Sequence, residues 1–125
     1  MKKKNQINVL GGELILCSSN PITGFTRNGC CESHESDNGK HLLCARVDDK
    51  FLEFQFLKGN DLITPKPEFN FTGLVSGDRW CVCANRWLEA YQFSSAPPII
   101  LQSSNIDVLE LIDLEILKRF AIDLN

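Results

Sequence analysis

The chain has 125 residues, of which 43% are hydrophobic and 23% are charged, and this mixture is typical of a folded globular domain rather than a disordered chain. The length suits one domain with one core. The formal net charge of −3 excludes the basic surface that binds phosphate backbones, so we expect no nucleic-acid partner. No segment approaches the roughly 18 apolar residues that span a bilayer, so we expect no membrane partner and a cytoplasmic location.

The N-terminal third is rich in residues that favour loops. Residues 1–7, with Lys2, Lys3 and Lys4, are predicted to form a disordered basic tail, and residues 8–125 a single domain. Short strands are predicted at residues 9–10 and 14–17. The Asn28-Gly29 dipeptide accepts positive φ angles readily, which indicates a tight hairpin there. Residues 32–40 are predicted to form an exposed loop.

The middle of the chain predicts a strand followed by a helix and a long connection. Residues 42–47 are apolar and predict a strand, Asp48 can cap the helix that follows, and Gly59 can end that helix. Residues 60–71 contain two prolines and predict an extended segment that either crosses the surface or lines a cleft.

The last third predicts further alternation of strands and helices. Residues 79–83, 99–102 and 108–112 are predicted strands, and Asp113 can cap a final helix. The clearest helix has an apolar stripe at i, i+3, i+4 and i+7, formed by Ala84, Trp87, Leu88 and Tyr91. We therefore predict an α+β fold, with a mixed sheet of short strands, about three helices and a loop-rich N-terminal third.

Several specific strings spread over nearly the whole chain after residue 8 carry a family resemblance. They include Pro21-Ile22-Thr23-Gly24-Phe25 with Arg27, His41 with Cys44-Ala45, Gly59-Asn60-Asp61-Leu62, Gly77-Asp78-Arg79-Trp80-Cys81, and Cys83-Ala84 with Arg86-Trp87. In these strings the chain resembles the bacterial and plant domain of unknown function 2237 (DUF2237). The resemblance implies a compact single domain and no particular activity. The chain has Ser104-Asn105 where a Thr-His pair is usual in that pattern.

Six cysteines offer the sharpest chemical hypothesis. In an intracellular protein they are expected to be thiols or metal ligands rather than disulfides, and no C-x-x-C motif is present. We predict a metal site for zinc or iron, and the alternative is that the thiols are inert core residues. The candidate ligands are Cys30, Cys31, His41, Cys44, Cys81 and Cys83.

A reactive thiol is a second hypothesis. Cys44 and Cys83 each precede a predicted helix, whose N-terminal dipole stabilises a thiolate. His41 is the base that matches the family strings, but it lies three positions before Cys44, which places the two on opposite faces of a strand.

Polar residues beside aromatic ones offer a third hypothesis, a site for a small polar or anionic ligand. The candidates are Arg27, Asn60, Asp61, Asp78, Arg79, Trp80 and Arg86. The alternative is that Asp61 and Asp78 only close turns and that the tryptophans only fill the core. No nucleotide-cofactor motif is present.

These observations favour a cytosolic domain that binds a small molecule or a metal at a cysteine-rich site. A thiol-dependent enzyme and a protein-interaction module without site chemistry are the alternatives.

Overall fold

A computed structural model describes residues 6–124, and it confirms the α+β class. Two strands form in this part of the chain, β1 (Leu43–Arg46) and β2 (Arg79–Val82). The α-helices are α1 (Asp49–Leu57), α2 (Ala84–Gln92) and α3 (Leu114–Phe120). Short 3₁₀ helices cover Pro67–Phe69, Leu101–Ser103 and Ile106–Glu110. Within residues 6–124 no helix has the length and apolar character needed to cross a bilayer.

The strands β1 and β2 pair in an antiparallel ribbon that lies at the centre of the molecule. Leu43 faces Val82, and Cys44 faces Cys81. Both strands are predicted by the sequence, but the sheet is smaller than the mixed sheet expected. Ile99 adds only isolated bridges, one antiparallel to Ala45 and one parallel to Ala121.

The other two predicted strands in the last third are wrong, because side chains accept hydrogen bonds from backbone N–H groups that a strand would use. The backbone N–H groups of Leu101 and Gln102 donate to the carboxylate of Asp123 at 2.9 Å each, so they are not free to pair with a strand. Residues 106–110 form a 3₁₀ helix instead, because the Asn105 side chain accepts a hydrogen bond from the backbone of Asp107 and caps it.

The helix ends follow the sequence signals. Asp48 accepts a hydrogen bond from the Phe51 backbone at 2.9 Å and caps α1, while Gly59 after its end has a φ of +84°. Asp113 accepts from the Glu115 backbone at 3.0 Å and caps α3. These three signals are confirmed.

The core lies where the helices pack on the ribbon. Trp87 of α2 is fully buried, and its indole N–H donates to the carbonyl of Pro97 at 3.2 Å. Its ring stacks on Tyr91 and meets the edge of Phe120, which joins α2 to α3. The apolar stripe of α2 therefore faces the core as predicted.

The N-terminal third is held by loops and cross-links rather than by strands. The strands predicted at residues 9–10 and 14–17 do not form, since residues 9–10 lie in a turn, and pairing nearby is limited to isolated bridges such as that between Ile7 and Glu13. The predicted hairpin is a turn in which Arg27 and Gly29, rather than Asn28, have positive φ. Residues 1–5 of the predicted tail lie outside the described residues, whereas Gln6 exchanges hydrogen bonds with Ser33.

Candidate functional site

Four of the six cysteines form two disulfides, which corrects the expectation that they are thiols. Cys17 is bonded to Cys44, and Cys31 is bonded to Cys81. All four are at least 96% buried, and with Ile100 they form a small core of their own. We call these four residues the four-cysteine cluster.

The predicted metal site of six ligands is therefore not assembled as proposed. Cys31, Cys44 and Cys81 are engaged in the disulfides, whereas Cys30 and Cys83 remain free thiols. A different group is brought together instead. The sulfur atoms of Cys17, Cys31 and Cys81 lie within 4.8 Å of one another, but all three are in disulfides, so this buried group could hold a metal ion only in its reduced state.

A second feature is a cleft beside β2 that collects several residues of the family strings. It consists of three adjoining cavities of about 180, 170 and 370 Å³ that all border Trp80. We call it the Trp80 cleft. Its polar and sulfur-bearing lining includes Arg27, His41, Asn60, Cys83 and Arg86.

The Trp80 ring forms the centre of the cleft. Only 7% of this residue is exposed, and its ring contacts Phe71 with centroids 5.4 Å apart. The Arg27 guanidinium lies 5.1 Å from the Trp80 ring centroid, which is a cation–π distance. Arg27 also donates to the carbonyl of Gly24 at 2.7 Å, so its charge is fixed over the ring.

The other end of the cleft is built on α2 and on the segment after α1. Asn60 donates its amide to Gln55 at 2.7 Å, and the fully buried Gln55 donates to the backbone carbonyl of Arg86 at 3.4 Å. The Arg86 guanidinium donates to the carbonyl of Lys58 at 3.3 Å and lies 3.6 Å from the Glu89 carboxylate. The buried amide thus positions Asn60 next to Arg86. From the segment predicted to be extended at residues 60–71, Asn60, Leu62, Asn70 and Phe71 line the cleft, which is one of the two roles predicted for it. Pro67–Phe69 form a 3₁₀ helix instead of extended chain.

His41 is oriented by a buried carboxylate. Its Nδ1 lies 2.8 Å from Asp37 Oδ1, and its backbone N–H donates to Asp37 Oδ2 at 2.9 Å. Because a carboxylate only accepts, Nδ1 carries the proton and Nε2 is the nitrogen available to a ligand. Gly39 makes room for the ring, since a Cβ there would lie 2.6 Å from His41 Cε1.

Cys83 lies at the N-cap position of α2 and shares the 180 Å³ cavity with His41. Its thiol makes no capping hydrogen bond with the helix. His41, the candidate base that the sequence relates only to Cys44, therefore lies in the same cavity as Cys83. Cys44 itself cannot act as a nucleophile in this state, because it is bonded to Cys17.

The other free thiol, Cys30, lies outside the set of residues that line these cavities. Burial, and then the nearby negative charge of Glu32, raise the pKa of the Cys30 thiol above its ordinary value of 9.0.

Three of the predicted ligand-binding residues have other positions. The Asp61 carboxylate accepts hydrogen bonds from the Thr64 side chain and from the backbones of Thr64 and Ile63, and these hydrogen bonds lower the pKa of Asp61. Asp78 accepts from the Val75 backbone at 3.0 Å and closes a turn. Arg79 is exposed and does not line the three cavities.

Sequence reasoning missed two residues that the structure makes prominent. Asp37 falls in a stretch that was expected to be exposed, although it is 98% buried and lies at i−4 from His41. That spacing is the signal that points to it. Cys17 was not among the candidate ligands, and no spacing in the sequence pairs it with Cys44.

The Ser104-Asn105 pair, where the chain departs from the family pattern, supports the four-cysteine cluster rather than the Trp80 cleft. The Ser104 hydroxyl accepts from the Cys44 backbone at 3.0 Å, and the Asn105 amide donates to the Cys31 carbonyl at 3.2 Å.

A comparison with known protein families agrees with the resemblance to DUF2237 found in the sequence. The profile of a family described as an uncharacterized protein conserved in bacteria, DUF2237, matches residues 7–121. No curated protein matches the chain. Since the matched residues cover nearly the whole sequence, including both the four-cysteine cluster and the Trp80 cleft, the chain belongs to the DUF2237 family.

Proposed function

We propose that the Trp80 cleft binds a small anionic molecule. The observation that supports this most is the charge of its lining, which includes the guanidinium groups of Arg27 and Arg86 and, among the described residues, no carboxylate. Guanidinium groups recognise carboxylates and phosphates through paired hydrogen bonds, and Trp80 supplies an apolar wall. The cavities have the size of a small metabolite rather than a polymer.

Calorimetric titration tests this proposal, with inorganic phosphate, pyrophosphate and short di- and tricarboxylates as probes. At least one probe is expected to bind at one site per chain. Arg86→Ala is expected to weaken that binding at least tenfold, because a hydrogen bond to a charged group contributes about 1.5–3 kcal/mol. Arg79→Ala is the matched control, since this arginine lies outside the cleft lining.

The proposal fails if none of the probes binds, or if Arg79→Ala weakens binding as much as Arg86→Ala does. The second result would mean that overall charge, rather than the geometry of the cleft, attracts the anion.

Metal binding is a second candidate function, and it is favoured by the closeness of the sulfur atoms of Cys17, Cys31 and Cys81. We propose that the four-cysteine cluster, with Cys44 as the fourth ligand, binds one zinc or iron ion. A tetrahedral set of four thiolates suits either metal, and the burial of the cluster is typical of closed structural sites. The metal content of anaerobically purified protein tests this, and a chain without stoichiometric zinc or iron that also takes up neither metal when reduced would contradict it.

A thiol-dependent enzyme stays a prediction. Cys83 and the His41–Asp37 pair supply a thiol and an oriented base in one cavity, which supports it. A cytoplasmic location also stays a prediction. In that compartment the cysteines of the cluster would be held as thiols, the form that a metal ion requires.

A further inference from the structure

Two disulfides lie unusually close together in the four-cysteine cluster. Cys44 and Cys81 face each other across β1 and β2, yet each is bonded to a cysteine of the N-terminal loops rather than to its neighbour. The sulfur atom of Cys17 lies within 4.8 Å of those of Cys31 and Cys81, to which it is not bonded. All four sulfurs therefore occupy one small volume.

The backbone of the cluster is held by hydrogen bonds that do not depend on the disulfides. The Cys17 N–H donates to the Gly29 carbonyl at 2.8 Å. The Cys81 N–H donates to the hydroxyl of the fully buried Thr23 at 2.9 Å.

The other two cysteines have similar anchors. The Cys44 N–H donates to Ser104, and the Cys31 carbonyl accepts from Asn105. Because each cysteine has its own anchor, the four side chains are expected to stay together after the S–S bonds are broken.

A tetrahedral zinc ion can bind this cluster only after both S–S bonds are broken. With Zn–S bonds of about 2.3 Å, the four sulfurs lie roughly 3.8 Å apart. Reduction frees the two bonded pairs to move apart toward this separation, and the Cys17 sulfur already lies within 4.8 Å of the sulfurs of Cys31 and Cys81. Cys44, which is freed from Cys17 by the same reduction, would supply the fourth thiolate.

We propose that the four-cysteine cluster is a redox-switched metal site, in which a zinc tetrathiolate and the pair of disulfides are alternative states of the same four residues. This proposal rests on the metal-binding function proposed above. It adds that metal release is coupled to formation of the two specific disulfides seen in the structure.

The chemistry of the switch balances with a dithiol as reductant and a peroxide as oxidant. Two dithiol molecules reduce the two disulfides to four thiols and become two cyclic disulfides. Zinc then binds the four thiolates and displaces four protons. In reverse, each of two hydrogen peroxide molecules takes two electrons from one pair of thiolates and, with two protons, yields two water molecules and one disulfide, and the zinc ion leaves.

Both states connect the same parts of the fold. The disulfides join positions 27 and 50 residues apart and so tie the loop-rich N-terminal third to β1 and β2. A zinc ion bound to all four cysteines makes the same connection. The switch therefore changes the ligand state of the cluster while the same parts of the fold stay connected.

The test uses the full chain, reduced anaerobically with a dithiol and then freed of it. Native mass spectrometry during titration with zinc is expected to show one ion per reduced chain and none per oxidised chain. Two equivalents of peroxide are then expected to release the zinc to a chromogenic chelator. Peptide mapping of the product is expected to show the Cys17–Cys44 and Cys31–Cys81 links.

Two variants make the result specific. Cys81→Ser is expected to lose zinc binding, whereas the matched double variant Cys30→Ser/Cys83→Ser is expected to keep both binding and peroxide release. The double variant decides the question even if Cys81→Ser does not fold, because it leaves no cysteine outside the cluster.

The outcomes separate the switch from the metal site on which it rests. A reduced chain that binds no zinc overturns both. If both the reduced and the oxidised chain bind zinc, the switch is overturned and metal binding stays in place. The same holds if zinc is released but disulfides other than Cys17–Cys44 and Cys31–Cys81 form.

Discussion

Breaking the Cys31–Cys81 disulfide should remove a large part of the stability of this domain. The two cysteines are 50 residues apart in sequence, and loop closure over that length gives about 4 kcal/mol in the chain-entropy description. The Cys17–Cys44 link closes 27 residues and gives about 3.5 kcal/mol. The two values do not add, because the loops overlap in sequence. Since a domain of this kind is stable by about 5–15 kcal/mol, either loss is substantial.

The assay is urea unfolding of the oxidised chain and of the double variant Cys31→Ala/Cys81→Ala, both with a metal chelator present. The variant is expected to lose about 4 kcal/mol of unfolding free energy, equivalent to a fall of ~15 °C in Tm for a chain of this length. Cys30→Ala/Cys83→Ala is the matched control, since both cysteines are free thiols. Reduction should destabilise this control as it does the parent chain.

Two results would refute this reasoning. If the oxidised chain and Cys31→Ala/Cys81→Ala unfold at the same urea concentration, the disulfide does not constrain the unfolded chain as argued. If the control variant is destabilised as much as the disulfide variant, the loss comes from the removal of sulfur atoms from packed sites rather than from the cross-link.

Three further predictions concern the site and its surroundings. Glu32→Gln is expected to speed alkylation of Cys30 near neutral pH, because loss of the negative charge of Glu32 lowers the raised pKa of the Cys30 thiol. An unchanged alkylation rate, measured by mass spectrometry, would contradict this role of Glu32. Asp61→Asn is expected to be less stable than the parent at neutral pH. The difference in stability between the two chains should disappear as the pH falls below 3.8, the ordinary pKa of an aspartate, because a carboxylate whose pKa is lowered by folding stabilises the fold only while it is ionised. Urea midpoints of the two chains that differ by the same amount at neutral pH and at a pH below 3.8 would count against this. Gly39→Ala is expected to displace the His41 ring, because the new Cβ would lie 2.6 Å from Cε1, and an unshifted His41 Cε1–H resonance in the NMR spectrum would show that the ring has room.

Much of the candidate site could be anticipated because it depends on residues that lie in recognisable strings. Arg27, Asn60, Trp80 and Arg86 were expected to bind a ligand, and all four line the Trp80 cleft. The proline-bearing segment that follows α1 is predicted either to cross the surface or to line a cleft, and both of its ends line the Trp80 cleft. What the strings do not contain is the hydrogen bond between His41 and a buried carboxylate, which depends on how the preceding loop folds back.

The local features of the fold were determined by the sequence itself. Asp48 and Asp113 cap helices because their carboxylates reach the backbone N–H groups two or three residues ahead, whatever the rest of the chain does. Gly59 ends α1 because it adopts a positive φ without strain. The apolar stripe of α2 identifies its buried face, since the spacing of that stripe is a property of the helix alone.

The tertiary structure alone decided how distant residues are joined. Residues 99–102 have the composition of a strand, but the carboxylate of Asp123 takes two of their backbone N–H groups, and that residue approaches only when the chain end folds back. The pairing of Cys17 with Cys44 and of Cys31 with Cys81 was likewise decided by the packing of the N-terminal loops against β1 and β2. The spacing of the cysteines in the sequence does not predict these pairings, because disulfide bonds depend on distance in space and not on separation along the chain.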